Sequence, residues 1–100
     1  MRARTPILVA LAAAASLSAC RTGFRISRYR DNAALYAAAT REYEKGKWAN
    51  AILAFEKLTN DLPARDTLLP RTYWFLASAH GHQREHLLAA QGYTRLYESF

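Results

Sequence analysis

From Asp31 onward the apolar residues recur with a helical beat. "AALYAAATREYEK" follows two good helix-capping residues, Asp31 and Asn32. Gly46 is placed to stop that helix, because glycine enters the left-handed conformation without steric cost. A second helix is expected from Trp48. Within it Ala51, Phe55, Leu58 and Leu62 fall at i, i+4, i+7 and i+11, one face of a helix. Pro63 forbids continuation. "PARDTLLP" then reads as a connector, and Pro70 suits the first turn of a third helix running to about Gln83. "REH" turns the chain, and a fourth helix is expected from about Leu87 to the end.

The pattern repeats itself. Ala39, Ala51, Phe55 and Leu58 correspond to Ala77, Ala89, Tyr93 and Leu96, each pair 38 residues apart. Two helical hairpins, 31–63 and 70–100, follow from this register. Phe55, Leu58, Tyr93 and Leu96 are the expected core. The fold class is therefore all-α: four helices in about two repeats.

These residues resemble the tetratricopeptide repeat, an antiparallel helix pair of about 34 residues. Gly46 and Trp48 stand at its turn glycine and following aromatic. Ala51 is its small crossing residue, Phe55 the large residue packed on it, and Pro63 its closing proline. The second unit departs from the pattern: Arg84 stands at the turn glycine and His86 at the aromatic.

Ahead of the repeats lies a different kind of segment. Arg2 and Arg4 precede "PILVALAAAASL", and small residues lead to Cys20, the single cysteine. This is the layout of an export signal. From Pro6 to Cys20 it is shorter than the ~20 residues a spanning helix needs. "LSAC" at 17–20 looks like the lipobox of bacterial lipoproteins. That resemblance implies a signal peptide over 1–19 and a diacylglycerol on the Cys20 thiol. It also implies a further acyl chain on the α-amine freed by cleavage. Residues 20–30 are then a lipidated tether.

Charge sharpens this division. The chain carries a formal charge of +6, and all of the excess lies in the first thirty residues. From Asp31 onward eight Lys/Arg face eight Asp/Glu. A nucleic-acid-binding domain would carry its basic face on the folded part, so nucleic acid is not an expected partner. Arg21, Arg25, Arg28 and Arg30 would lie near lipid headgroups, or along a solvated tether. Arg21, standing directly after Cys20 in place of aspartate, implies by analogy with enteric bacteria forwarding to the outer membrane.

A lipobox followed by tetratricopeptide hairpins of this period resembles the BamD family, lipoproteins of the bacterial β-barrel assembly machinery. "LYAAATREYEKGKWANAILAFEKLTNDLP" and "YWFLASAHGHQREHLLAAQGYTRLYESF" are similar to its first two repeats, over about residues 31–100. Family members carry about five repeats, which makes this chain an expected N-terminal portion of a truncated array. The resemblance implies a periplasm-facing outer-membrane lipoprotein. Its implied partners are other subunits of the machinery and the targeting segments of unfolded outer-membrane proteins, with the membrane engaged through the lipid. A tetratricopeptide scaffold for other cell-envelope or peptidoglycan enzymes is the alternative.

In such arrays the first helix of each hairpin lines the concave face. By repeat position that face carries Tyr36, Thr40, Tyr43 and Glu44, then Arg71, Trp74, Ser78 and His82. Tyr36, Thr40 and Tyr43 lie at i, i+4 and i+7 and share one side. Aromatics with an arginine suit an extended peptide bearing an apolar residue and a carboxylate. The expected peptide-binding residues are Tyr36, Thr40, Tyr43, Arg71, Trp74 and His82. Alternatively, Tyr36 and Trp74 simply cover the hairpin junction.

Catalysis and metal binding find little support. His80, His82 and His86 do not fall on one helix face with a carboxylate at ligand spacing. Ser78 lies near His80 and His82 in sequence, but a nucleophile needs a base held by a third group. No glycine-rich phosphate loop is present. The expectation is a non-enzymatic protein with no cofactor and no metal.

Overall fold

A computed structural model describes residues 23–100. These form an all-α fold: a single 3-10 turn at Ile26–Arg28, then α1 (Asn32–Glu44), α2 (Trp48–Asp61), α3 (Leu68–His82) and α4 (His86–Ser99). There is no strand among the described residues. Each helix packs on the next in the chain, and α1 also touches α3. The expected export signal and Cys20 lie outside the described residues.

Local chemistry sets the boundaries. The Asp31 carboxylate accepts from the Ala34 N–H at 2.7 Å, so Asp31 caps α1 and Asn32 is its first residue. At the far end the Gly46 N–H donates to the Tyr43 carbonyl and the Lys47 N–H to the Glu42 carbonyl, at 3.0 and 2.9 Å. This is the Schellman arrangement, with Gly46 at φ +74°. Its counterpart closes α3: Arg84 donates to Gly81 and Glu85 to His80, at 3.0 and 2.9 Å. Leu62 ends α2 one residue earlier than its apolar spacing suggests. It is extended, at φ −71° and ψ 135°, because the following proline disfavours the helical region. It remains buried all the same.

The core sits between the first hairpin and α3. Leu35, Ala39, Ala51, Ala54, Phe55, Leu58, Leu62 and Leu69 form one buried cluster. Phe55 lies parallel to Phe75 of α3, with centroids 5.1 Å apart. Thr72 is fully buried, and its hydroxyl donates to the Leu68 carbonyl at 2.8 Å, which satisfies a polar atom that would otherwise be costly there.

Two expectations need correction. Phe55 and Leu58 are buried, but Tyr93 is 41% exposed and Leu96 is only half-buried. Their equivalents in the first hairpin are covered by α3, and no helix follows α4 among the described residues to do the same. The segment expected as a tether is also not free over its described part: Phe24, Ile26 and Tyr29 pack against the core cluster, and Phe24 stacks on Tyr29 at 5.8 Å.

Candidate functional site

Tyr43, near the end of α1, is the hub of an aromatic group that spans both hairpins. Its hydroxyl lies 2.7 Å from the Ser78 hydroxyl of α3. Its ring makes edge contacts with Trp48 at 5.1 Å and Phe75 at 5.0 Å, and lies 6.4 Å from Trp74. His82, in the last turn of α3, stacks flat on Trp48 at 4.0 Å with an interplanar angle of 3°. Edge-to-face and stacked pairs of this kind add about 0.5–1.5 kcal/mol each beyond buried area. They hold the group in one arrangement.

The repeat geometry explains the assembly. Tyr43 and Ser78 both lie on the first helix of a hairpin, facing each other across the α1–α3 contact. Trp48 enters because the Gly46 turn reverses the chain directly before it. Trp74 packs on Phe75 at 5.2 Å yet stays 45% exposed, so part of the residue remains accessible to a ligand.

The expected concave-face residues divide. Tyr43, Trp74, Ser78 and His82 are brought together. Tyr36 is half-buried against Phe55 and Phe75, with centroids 6.0 and 6.3 Å away, and serves the junction between hairpins. Thr40 is half-buried and turns its hydroxyl back to the Ala37 carbonyl at 2.8 Å. Glu44 and Arg71 are exposed. Arg71 lies one helical turn before Trp74 and has no ion-pair partner among the described residues.

Two residues of the group, Trp48 and Phe75, were not among the expected binding residues. Trp48 follows the turn glycine, a position that signals hairpin packing rather than binding. Phe75 adjoins Trp74, on a flank of α3 that the concave-face register does not include.

His80 is buried, with Nδ1 3.2 Å from Glu85 Oε1 and Nε2 3.9 Å from Glu56 Oε1. It occupies the same repeat position as Glu42 in the first hairpin. Glu42 is also buried, and its carboxylate accepts from the Asn50 side chain at 2.9 Å. A buried polar residue thus ties the turn in each unit. Among the described residues no three His, Cys, Asp or Glu side chains converge as a metal-ligand set. No described helix is long and apolar enough to cross a membrane. Comparison with known protein families, curated proteins and solved structures finds no match to this chain.

Proposed function

We propose that this chain is a non-enzymatic, lipid-anchored adaptor that faces the periplasm from the outer membrane. In this reading it binds targeting segments of unfolded β-barrel proteins during their assembly and hands them to other subunits of the assembly machinery. The observation that carries the reading is the aromatic group on the first helices of both hairpins, with Trp74 open and Arg71 one turn away. An extended peptide places an apolar side chain against the Trp74 face and a carboxylate at Arg71. Recognition of this kind needs no reaction chemistry.

The test has two arms. The full chain is titrated with a short peptide ending in an apolar residue and a free carboxylate, read by tryptophan fluorescence. Amidating the carboxylate, or Arg71→Gln, should weaken binding about tenfold, roughly 1.4 kcal/mol. A peptide insensitive to both would remove Arg71 from the site. In cells, a photocrosslinker at position 74 should capture unfolded β-barrel precursors. Capture of peptidoglycan enzymes instead would replace this reading with the scaffold alternative.

A further inference from the structure

A concavity flanks the turn at Gly46, lined by residues other than those of the aromatic group. It has a volume of about 280 Å³ and sits between the 23–29 segment, the end of α1 and the start of α2. Its lining brings together Arg25, Arg28, Arg41, Lys45 and Lys47, with Glu42 the one acidic residue. From Asp31 onward the charges of the chain balance, so this is a local concentration of cations that the composition of the repeats does not suggest.

Three of these cations, Arg28, Arg41 and Lys47, do not neutralise a carboxylate among the described residues. Glu42 is already bonded to Asn50 at 2.9 Å, with Lys45 at 3.8 Å. The C-terminal end of α1 attracts cations in general. Its carbonyls, however, already accept from the Lys45, Gly46 and Lys47 N–H groups at 3.1, 3.0 and 2.9 Å. That attraction also does not explain why Arg28, from a separate segment, converges on the same cavity. Arginines that line a shared concavity are suited to the oxygens of a phosphate.

The position selects among phosphates. Gly23 lines the cavity, and Cys20 is three residues before it. Three residues span at most ~10 Å. We propose that this cavity binds the phosphodiester of an anionic phospholipid headgroup, an inference that rests on the reading of Cys20 as acylated. The acyl chains would hold the chain at the bilayer, and the cavity would grip a headgroup beside them. Docking of Phe24, Ile26 and Tyr29 on the core then transmits this grip to the hairpins. It would fix their orientation over the membrane rather than leave them on a loose tether.

The test uses the full chain in neutral detergent micelles, titrated with dihexanoyl phosphatidylglycerol and separately with inorganic phosphate. Shifts of the Arg28 and Arg41 side-chain N–H resonances are followed by NMR. The short-chain lipid should shift both. The triple variant Arg28→Gln, Arg41→Gln, Lys47→Gln should weaken its binding by about tenfold, as lost charge-assisted contacts predict. The control triple Arg65→Gln, Arg84→Gln, Arg95→Gln carries the same net charge and should leave affinity within about twofold, since only screened, distant charge is removed. Equal losses in both triples, or no shifts with the lipid, would overturn the site. Inorganic phosphate binding as tightly as the lipid would overturn the headgroup as its occupant. Mass spectrometry of Cys20 separates the two claims, because headgroup binding by a chain with unmodified Cys20 sinks the anchor and leaves the cavity standing.

Discussion

Arg84 occupies the turn of the second hairpin at φ 61°, in the place where Gly46 turns the first at φ 74°. The two hydrogen bonds that close each turn correspond, from Gly46 and Lys47 in the first and from Arg84 and Glu85 in the second. A non-glycine residue in the left-handed region carries a steric cost of about 1–2 kcal/mol. Glycine removes that cost but loses about 0.5–1 kcal/mol through the freedom of the unfolded chain. Arg84→Gly should therefore stabilise the protein by about 0.5–1 kcal/mol. Gly46→Ala should destabilise it by about 1 kcal/mol, since strain is added where none existed. Urea unfolding followed by circular dichroism checks both signs. A loss of stability in Arg84→Gly would mean that the arginine side chain holds the turn by contacts of its own.

Two helical glycines should respond to alanine in opposite directions. A Cβ on Gly92 would stand 2.8 Å from Ala77 Cβ and 3.4 Å from its Cα. Neither atom belongs to a flexible side chain, so α3 and α4 must separate. Overpacking costs about 1–3 kcal/mol, against a gain in helix propensity of at most about 1 kcal/mol. Gly92→Ala should be destabilising by about 1 kcal/mol. At Gly81 the added Cβ would meet Ala89 Cβ at 3.8 Å, an ordinary contact. Propensity is unopposed there, and Gly81→Ala should stabilise by up to about 1 kcal/mol. Thermal melts of the pair decide it: a Gly92→Ala that does not destabilise would remove the close α3–α4 crossing, and a destabilising Gly81→Ala would show that the added methyl is opposed there too.

Phe55 and Tyr93 share a repeat position but not an environment. Phe55 is fully buried and stacked on Phe75, whereas Tyr93 is 41% exposed. Phe55→Ala should cost about 3–5 kcal/mol by leaving a cavity. Tyr93→Ala should cost clearly less, about 1 kcal/mol, since the residue is already 41% exposed. Denaturant midpoints of the two variants test the difference. Equal losses would show that Tyr93 is covered in solution by something beyond the described residues.

The same contrast marks where the sequence was legible. Helix limits followed from short-range chemistry: the Asp31 cap, the Gly46 turn and the Pro63 stop each act within four residues. The 38-residue register correctly paired Gly46 with Arg84 and Ala39 with Ala77. Burial did not follow from register, because it depends on which helix comes next. Hence Phe55 and Tyr93 look alike in sequence and differ in the fold. The aromatic group was legible where it lay on the first helices, as Tyr43, Trp74 and His82. Tyr36 and Thr40 share its face but face other work, since Phe55 and Phe75 take up the Tyr36 ring and Thr40 satisfies its hydroxyl locally. Trp48 joins from the second helix through a stack on His82, a contact over 34 positions that no local pattern announces. The basic cavity was least legible, because Arg28, Arg41 and Lys47 come from three segments.

The Tyr43–Ser78 pair connects the two hairpins and should be measurable as a coupling. The two hydroxyls are 2.7 Å apart and partly buried. Tyr43→Phe keeps every ring contact with Trp48, Trp74, Phe75 and His82 and removes only the hydroxyl. Ser78→Ala removes the partner and raises helix propensity slightly. Each single change leaves one hydroxyl without its partner, while the double change leaves none. The double variant should therefore be more stable than the sum of the single losses by about 0.5–1.5 kcal/mol, the usual net value of such a bond. Unfolding free energies of the four proteins give this number directly. A coupling within error of zero would mean that water replaces the bond at no cost. The aromatic rings alone would then hold Tyr43 against α3, and the half-exposed Trp74 would owe its placement to ring contacts rather than to this hydrogen bond.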